Sequence, residues 1–407
     1  MLHPKLRRGM AGRRGTLHRL EAWAAAHRDP GRPLVWLHAP SVGEALMAQA
    51  IIARLRERRP EAQFAFTFFS PSAERVRERI GADFSDYLPW DAEPDVRRAL
   101  AALSPDVVAF VRTEVWPILT REAAARGART ALVNAALTSS SSRLRGPARW
   151  LLRPAYARLD AAGAVAPPDA GNLAKLGVRP ERIHVTGDAR FDQVWERVAA
   201  LDRAAPVLHT LAAGMPVLVA GSTWPSDERR LLPAWAHARA ASPLRLVIAP
   251  HEIGARHLRG IERRLDAMGV SYGRLSEIEG RTGAVPHAVI VDRIGILADL
   301  YAIARVAYVG GGFHRPGVHS VVEPAAMRVP VFFGPRHGNA GEAMDLAAAG
   351  GGFEVLDGDE LSDRLQRIAS TPARAAQAGA NALAWVRGRL GGAAANSELI
   401  ERLMDRR

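Results

Sequence analysis

The sequence predicts an α/β protein built from two doubly wound halves in tandem, and three observations support this. Short apolar runs recur, each ending in Gly, Pro or polar residues and followed by a stretch of helical character. That is the βαβ alternation of a parallel sheet covered on both faces. The series pauses over residues 196–214 and then restarts. At 407 residues the chain also exceeds what one hydrophobic core usually supports. The domains are therefore expected at 1–198 and 199–407, with the last helix able to pack back onto the first domain.

In the first half the runs PLVWLHAP (33–40), QFAFTFF (63–69), DVVAFVR (106–112), RTALVNA (129–135) and DAAGAVA (160–166) read as buried strands. Ser70-Pro71 illustrates the turn chemistry between them, a capping residue followed by proline at the first helical position. In the second half PVLVAGS (216–222), LRLVIAP (244–250), HAVIVD (287–292), VAYVGGG (306–312) and VPVFFGP (329–335) repeat the pattern.

Composition narrows the function. With 48% hydrophobic and 24% charged residues the chain is globular. It has no cysteine, which excludes disulfides, a thiolate nucleophile and cysteine-ligated metals. The net charge of +13 is almost all arginine, since only Lys5 and Lys175 are lysines. Arginine's planar fork suits phosphates and carboxylates, so an anionic membrane surface or a phosphorylated substrate fits the charge. Nucleic acid is not expected as a partner, because only 6% of residues are aromatic and no basic run is interleaved with stacking rings. No stretch approaches the roughly 20 apolar residues of a spanning helix. The N-terminus MLHPKLRRGMAGRRGTLHRL is basic without the apolar core of a signal peptide. It is either a solvated arm or an electrostatic membrane contact.

Ligands of open α/β sheets lie beyond the carboxyl ends of the strands, so the residues just after each run are the most informative. In WLHAPSVGEALMAQAIIARL, Ser41 and Glu44 stand at the spacing of a capping box, in which both side chains bond helix-terminal amides. The alternative is that Glu44 does chemistry. Glu114, in Thr113-Glu114-Val115-Trp116-Pro117, is either a structural ion-pair partner or a second active carboxylate. Arg190, in Gly187-Asp188-Ala189-Arg190-Phe191-Asp192, either balances a leaving phosphate or pairs with Asp188 or Asp192. Asp292 to Leu297 forms a strand-to-helix link whose amides could face a base or phosphate. Gly310, Gly311 and Gly312 are neither a Walker loop nor a dinucleotide fingerprint, yet glycine lets a backbone approach a ligand closely. His314 and His319 are five residues apart, which is not the i, i+4 spacing of a helical zinc site, and no metal is expected. Two such domains facing each other across a cleft are the layout of the GT-B glycosyltransferases. In that fold Glu323, after the glycine loop, would bind a nucleotide ribose instead of merely complementing a helix dipole.

Five motifs together, Trp36 to Glu44, Thr113 to Pro117, Gly187 to Asp192, Ala249 to Glu252 and Gly310 to Glu323, resemble the 3-deoxy-D-manno-octulosonic acid (Kdo) transferases. Their order and spacing match from about residue 5 to 400. The resemblance implies an inverting GT-B enzyme that moves Kdo from CMP-Kdo onto a phosphorylated lipid A precursor. It would act at the cytoplasmic face of the bacterial inner membrane, without a resident cofactor, CMP-Kdo being a co-substrate. It assigns Glu44 as general base and Glu114 and Arg190 as groups that stabilise the transition state. Pro250, His251, Ile294, Gly295, Ile296, Ser320, Val321, Val322 and Glu323 would line the CMP site, with Ser222, Gly311 and Gly312 as further donor-loop candidates. The family's Pro-Arg-His is Ala249-Pro250-His251 here, so Arg256 or Arg336 is the expected replacement cation. The family's lysine before Phe-Asp is Arg190, its Asn-Ala-Arg-Leu-Ser segment is Asn134 to Thr138, and its usual hydrophobic anchor does not appear in this sequence. The rival expectations are a GT-B enzyme using a UDP-sugar, as transferase or epimerase, and a non-catalytic GT-B module that binds nucleotide or lipid.

Overall fold

The computed structural model describes residues 4–279, 283–315, 317–338 and 340–405. The chain divides into two compact units, Met1–Gln193 with Arg389–Arg407, and Val194–Gly388. The second half of the sequence thus does not hold its own C-terminus, and the packing below gives the reason.

The first unit is a seven-stranded parallel sheet. Its strands are β1 (Leu34–Ala39), β2 (Gln63–Phe68), β3 (Phe84–Tyr87), β4 (Val107–Val111), β5 (Arg129–Ala135), β6 (Ala161–Ala164) and β7 (Ile183–Val185), in the order β3-β2-β1-β4-β5-β6-β7. Alternating side chains feed two cores. Val35, Leu37, Val107, Ala109 and Val111 lie on one face, and Leu34, Trp36, Val108 and Phe110 on the other. The first face takes the helix Val42–Arg58 together with the C-terminal helix Gly392–Met404, which adds Ala393, Leu399, Ile400 and Leu403 to that core. Arg58 pairs with Glu401 at 2.6 Å and Arg59 with Asp405 at 2.7 Å along the seam. Asp192 accepts from the amides of Gly391 (2.8 Å) and Ala393 (3.0 Å), capping the returning helix. Buried apolar area and satisfied amides together hold residues 389–407 to the first unit.

The second unit repeats the design with β8 (Val217–Thr223), β9 (Arg245–Pro250), β10 (Tyr272–Arg274), β11 (Ala288–Ile290), β12 (Ala304–Val309), β13 (Val331–Phe333) and β14 (Gly352–Glu354). Their order is β10-β11-β9-β8-β12-β13-β14, and every recorded pairing is parallel. Strand order reverses between β1 and β4 in the first unit and between β8 and β12 in the second. Each reversal leaves a crevice at the carboxyl ends where a ligand can enter. Among the described residues no helix is long and apolar enough to cross a membrane.

Candidate active site

In the first unit the reversal point is flanked by two carboxylates. Glu44 lies in the first turn of the helix that follows β1, and Glu114 three residues beyond β4. Ser41 occupies the N-cap of that helix with extended backbone, but its side chain bonds no helix amide. Its hydroxyl donates instead to the Glu44 carboxylate. The expected capping box is therefore absent. The helix start is held by Ala45 N donating to Ser41 O at 2.8 Å, while Val42 N donates to Ser72 Oγ at 3.3 Å. Gly43 is exposed, with open space where a side chain would project.

Burial pushes the Glu114 carboxyl above its ordinary value, with Arg143 opposing and Glu44 reinforcing the shift. One Glu114 oxygen, Oε2, is buried without a hydrogen-bond partner among the described residues. The turn that presents it is strained, because Arg112 has φ 79°. Tyr156 steadies it by donating to Thr113 O at 2.5 Å.

Arg190 sits in the first turn of the helix Ala189–Ala199, its guanidinium 3.3 Å from Asp188. Arg112 reaches the same carboxylate at 3.5 Å. Burial raises Asp188, but Arg190, Arg112 and hydrogen bonds from the Arg190 amide and Asn134 outweigh it and hold the carboxyl below its ordinary value. Of the two partners expected for Arg190, Asp188 is paired and Asp192 is committed to the C-terminal helix. Asn134, with φ 53°, donates to Asp188 Oδ1 (3.2 Å) and accepts from Ala189 N (2.7 Å). Asn396 of the returning helix accepts from Asn134 N at 2.8 Å and is fully buried. The C-terminal helix thus braces the start of the helix that carries Arg190.

In the second unit the reversal point is formed by the ends of β8 and β12. Ser222 is the extra residue of a bulge between the Gly221–Ala249 and Thr223–Pro250 pairs, with φ 54°. Pro250 closes β9, and His251 N continues the pairing by donating to Thr223 O at 2.9 Å. The three glycines pack closely against the backbone of their own unit. A Cβ on Gly310 would meet Ser222 O at 2.3 Å, one on Gly311 Gly317 O at 2.2 Å, and one on Gly312 Gly334 N at 2.4 Å. Their smallness serves backbone packing within the unit. Asp227, fully buried, ties this loop together by accepting from Trp224 N (2.9 Å), Gly311 N (2.9 Å), Phe313 N (3.2 Å) and Tyr308 Oη (3.1 Å). Asp227 is not among the residues expected from the sequence, although an acid three residues after Trp224 and two after Pro225 is a helix-start signal.

Beyond β11, Ile294 is 72% exposed at the tip of its loop, beside Gly295 with φ 101°. Arg197 donates to Gly295 O at 3.2 Å and stands 3.9 Å from Glu323. Burial raises the Glu323 carboxyl, with Arg197 pulling it down. Val321 and Val322 are fully buried, so only their backbone is available to a ligand. Arg336 is exposed on a loop laced to the glycines, its N donating to Gly312 O at 3.0 Å. Arg256 lines a cavity of about 430 Å³ with Trp224, Glu228 and His257. Among the described residues no group of three or more His, Asp or Glu is placed to hold a metal.

Residues 11–193 match the family described as 3-deoxy-D-manno-octulosonic-acid transferase (kdotransferase). The chain is also 31% identical over 383 residues to the 3-deoxy-D-manno-octulosonic acid transferase of Bordetella pertussis, covering 90% of this chain and 86% of that one. The chain belongs to the Kdo transferase family.

A second relative, the transferase of Chlamydia trachomatis serovar A, is 28% identical over 321 residues, 74% of this chain and 70% of its own length. The chain itself has the GT-B fold, with two doubly wound parallel-sheet units. A UDP-GlcNAc 2-epimerase from Neisseria meningitidis superposes with a TM-score of 0.64 over 91% of this chain and 99% of its own, at 12% identity. At that identity the likeness speaks for the architecture alone.

Proposed function

We propose that this transferase moves Kdo from CMP-Kdo onto a phosphorylated lipid A precursor with inversion, in lipopolysaccharide biosynthesis. The observation that carries the reading is the pairing of Glu44 and Glu114 at the reversal point of the first sheet, one carboxylate held by a serine and the other raised by burial. A sugar hydroxyl is a poor nucleophile, so a carboxylate must take its proton as the C–O bond forms. Glu44 fills that role, and its proton is the acceptor's. The C–O bond to the departing CMP breaks with its electron pair going to the phosphate. Glu114 stands at the same crevice in the part of a transition-state stabiliser, its carboxyl raised by burial. Arg190, seated on Asp188, adds fixed positive charge.

The second unit is the donor side in this reading. Glu323 accepts from the ribose hydroxyls, the exposed Ile294 covers an apolar face of the base, and the backbone of residues 320–323 meets the nucleotide. CMP-Kdo is a co-substrate and the reading needs no resident cofactor. The arginine excess suits an acceptor bearing phosphates and a peripheral position on the anionic inner face of the membrane. Incubation with labelled CMP-Kdo and lipid A precursor, followed by mass analysis, tests it. Labelled lipid carrying Kdo is expected; turnover of a UDP-sugar with no labelled lipid would overturn the reading.

A further inference from the structure

At the ends of β8, β9 and β12, four rings form one cluster. Trp224 stacks on His314 at 4.3 Å and on His251 at 4.6 Å, and His251 stacks on His319 at 4.5 Å. The Trp224 indole is linked at its edge to His319, with Nε1 and Nε2 3.1 Å apart. An indole N–H can only donate, so His319 Nε2 must be the acceptor and the ring's proton must sit on Nδ1.

Two further contacts fix the ring. His319 N donates to Gly310 O at 3.0 Å, and its Cδ2 lies 3.1 Å from where a Gly311 side chain would begin. Nδ1 has no partner among the described residues and is not sealed from solvent. The result is a neutral donor of one fixed tautomer, immediately before Ser320 and beside the bulge at Ser222. Burial, reinforced by the neighbouring His251 and His314 and opposed by Asp227, lowers His319 to about 4. The ring is therefore neutral across the physiological range.

We propose that His319 binds the donor nucleotide by donating a hydrogen bond from its Nδ1–H to a phosphate oxygen, and that Trp224 is the positioning residue that sets this tautomer. This rests on the reading of the second unit as the donor side. It adds a donor that none of the family motifs supplied by role, and gives Trp224 a task beyond packing.

The tautomer can be read without any variant. Nitrogen-15 spectra of histidine-labelled full-length protein should show His319 protonated at Nδ1 near pH 7, and a ring protonated at Nε2 overturns the proposal. Calorimetric titration with CMP and with cytidine then tests the function. An asparagine amide reaches the place of Nδ1 and a glutamine amide that of Nε2. H319N should keep CMP affinity within about threefold, H319Q should lose tenfold or more, and the two should bind cytidine alike. W224F should release the tautomer and weaken CMP binding by several fold. Wild-type CMP affinity in H319Q, or equal losses in H319N and H319Q, overturns the proposal. If the wild-type protein binds no CMP at all, the failure lies in the donor-side reading itself.

Discussion

The Ser41 hydroxyl donates to the Glu44 carboxylate, although Ser41 stands at the N-cap of the helix that Glu44 helps to begin. A serine in that position ordinarily bonds an amide two or three residues on. Here the side chain serves the carboxylate, and the amide of Val42 turns to Ser72.

Because no helix amide among the described residues bonds the Glu44 carboxylate, Glu44→Gln should change unfolding free energy by no more than about 1 kcal/mol. Transfer should fall by roughly three orders of magnitude or more, as expected on losing a general base. Denaturant unfolding and the transfer assay on one preparation check both halves. Full activity would remove Glu44 from the chemistry.

Glu114 is expected to lose transfer in the same way but with a pH-dependent effect on stability. Its folded-state carboxyl is raised by burial, so the native state holds its proton more tightly than the unfolded chain does. Stability from this group is present at low pH and lost as pH rises through the shifted value. Glu114→Gln should therefore match or exceed wild-type stability at pH 8, with transfer strongly reduced. A lower melting temperature for the variant at that pH would contradict it.

The glycines should divide into two classes. Gly43 is exposed, with no atom within 4 Å of where its side chain would begin, and Gly43→Ala should stabilise the helix by about 0.5–1 kcal/mol. If the acceptor passes over that surface, transfer falls at the same time. Gly311→Ala and Gly312→Ala meet backbone atoms at 2.2 and 2.4 Å and should each destabilise by about 1–3 kcal/mol. Thermal melts of the three variants decide it.

Acid should weaken the first unit through His38. This ring is fully buried, with Nδ1 3.1 Å from Thr67 Oγ1, and burial pushes it down to about 3. The unfolded chain binds its proton nearer pH 6.5. The stabilisation is complete above that pH and declines as pH falls from 6.5 toward 3, by up to about 1.4 kcal/mol per pH unit. His38→Asn keeps a group at Nδ1 without titrating in this range. Its stability deficit relative to wild type should shrink steadily on acidification, and a constant deficit would sink the assignment.

The ten strands expected from apolar runs all lie where the sequence puts them, whereas β3, β7, β10 and β14 gave no such signal. All four are three or four residues long and stand at the ends of their sheets. An edge strand needs no continuous apolar run: Phe84-Ser85-Asp86-Tyr87 is broken by two polar residues although mostly buried, and Ile183-His184-Val185 is largely exposed. Glu44 and Glu114 were visible because polar residues soon after a buried strand are conspicuous, whereas Arg190 follows the largely exposed β7 and stood out only within the Gly187–Asp192 segment. Asp227 and Asn396 were not. Their roles are made by tertiary neighbours far away in sequence, Gly311 for one and Asn134 for the other.

The return of residues 389–407 to the first unit has a consequence for synthesis. A ribosome delivers the first unit's sheet before residues 194–388, but the helix that completes its core, with Ala393, Leu399, Ile400 and Leu403, emerges only after them. Until then the nascent unit displays an uncovered apolar strip, while the contiguous stretch 194–388 can fold as it appears. A premature stop codon just before residue 389 would therefore injure the half of the protein translated first.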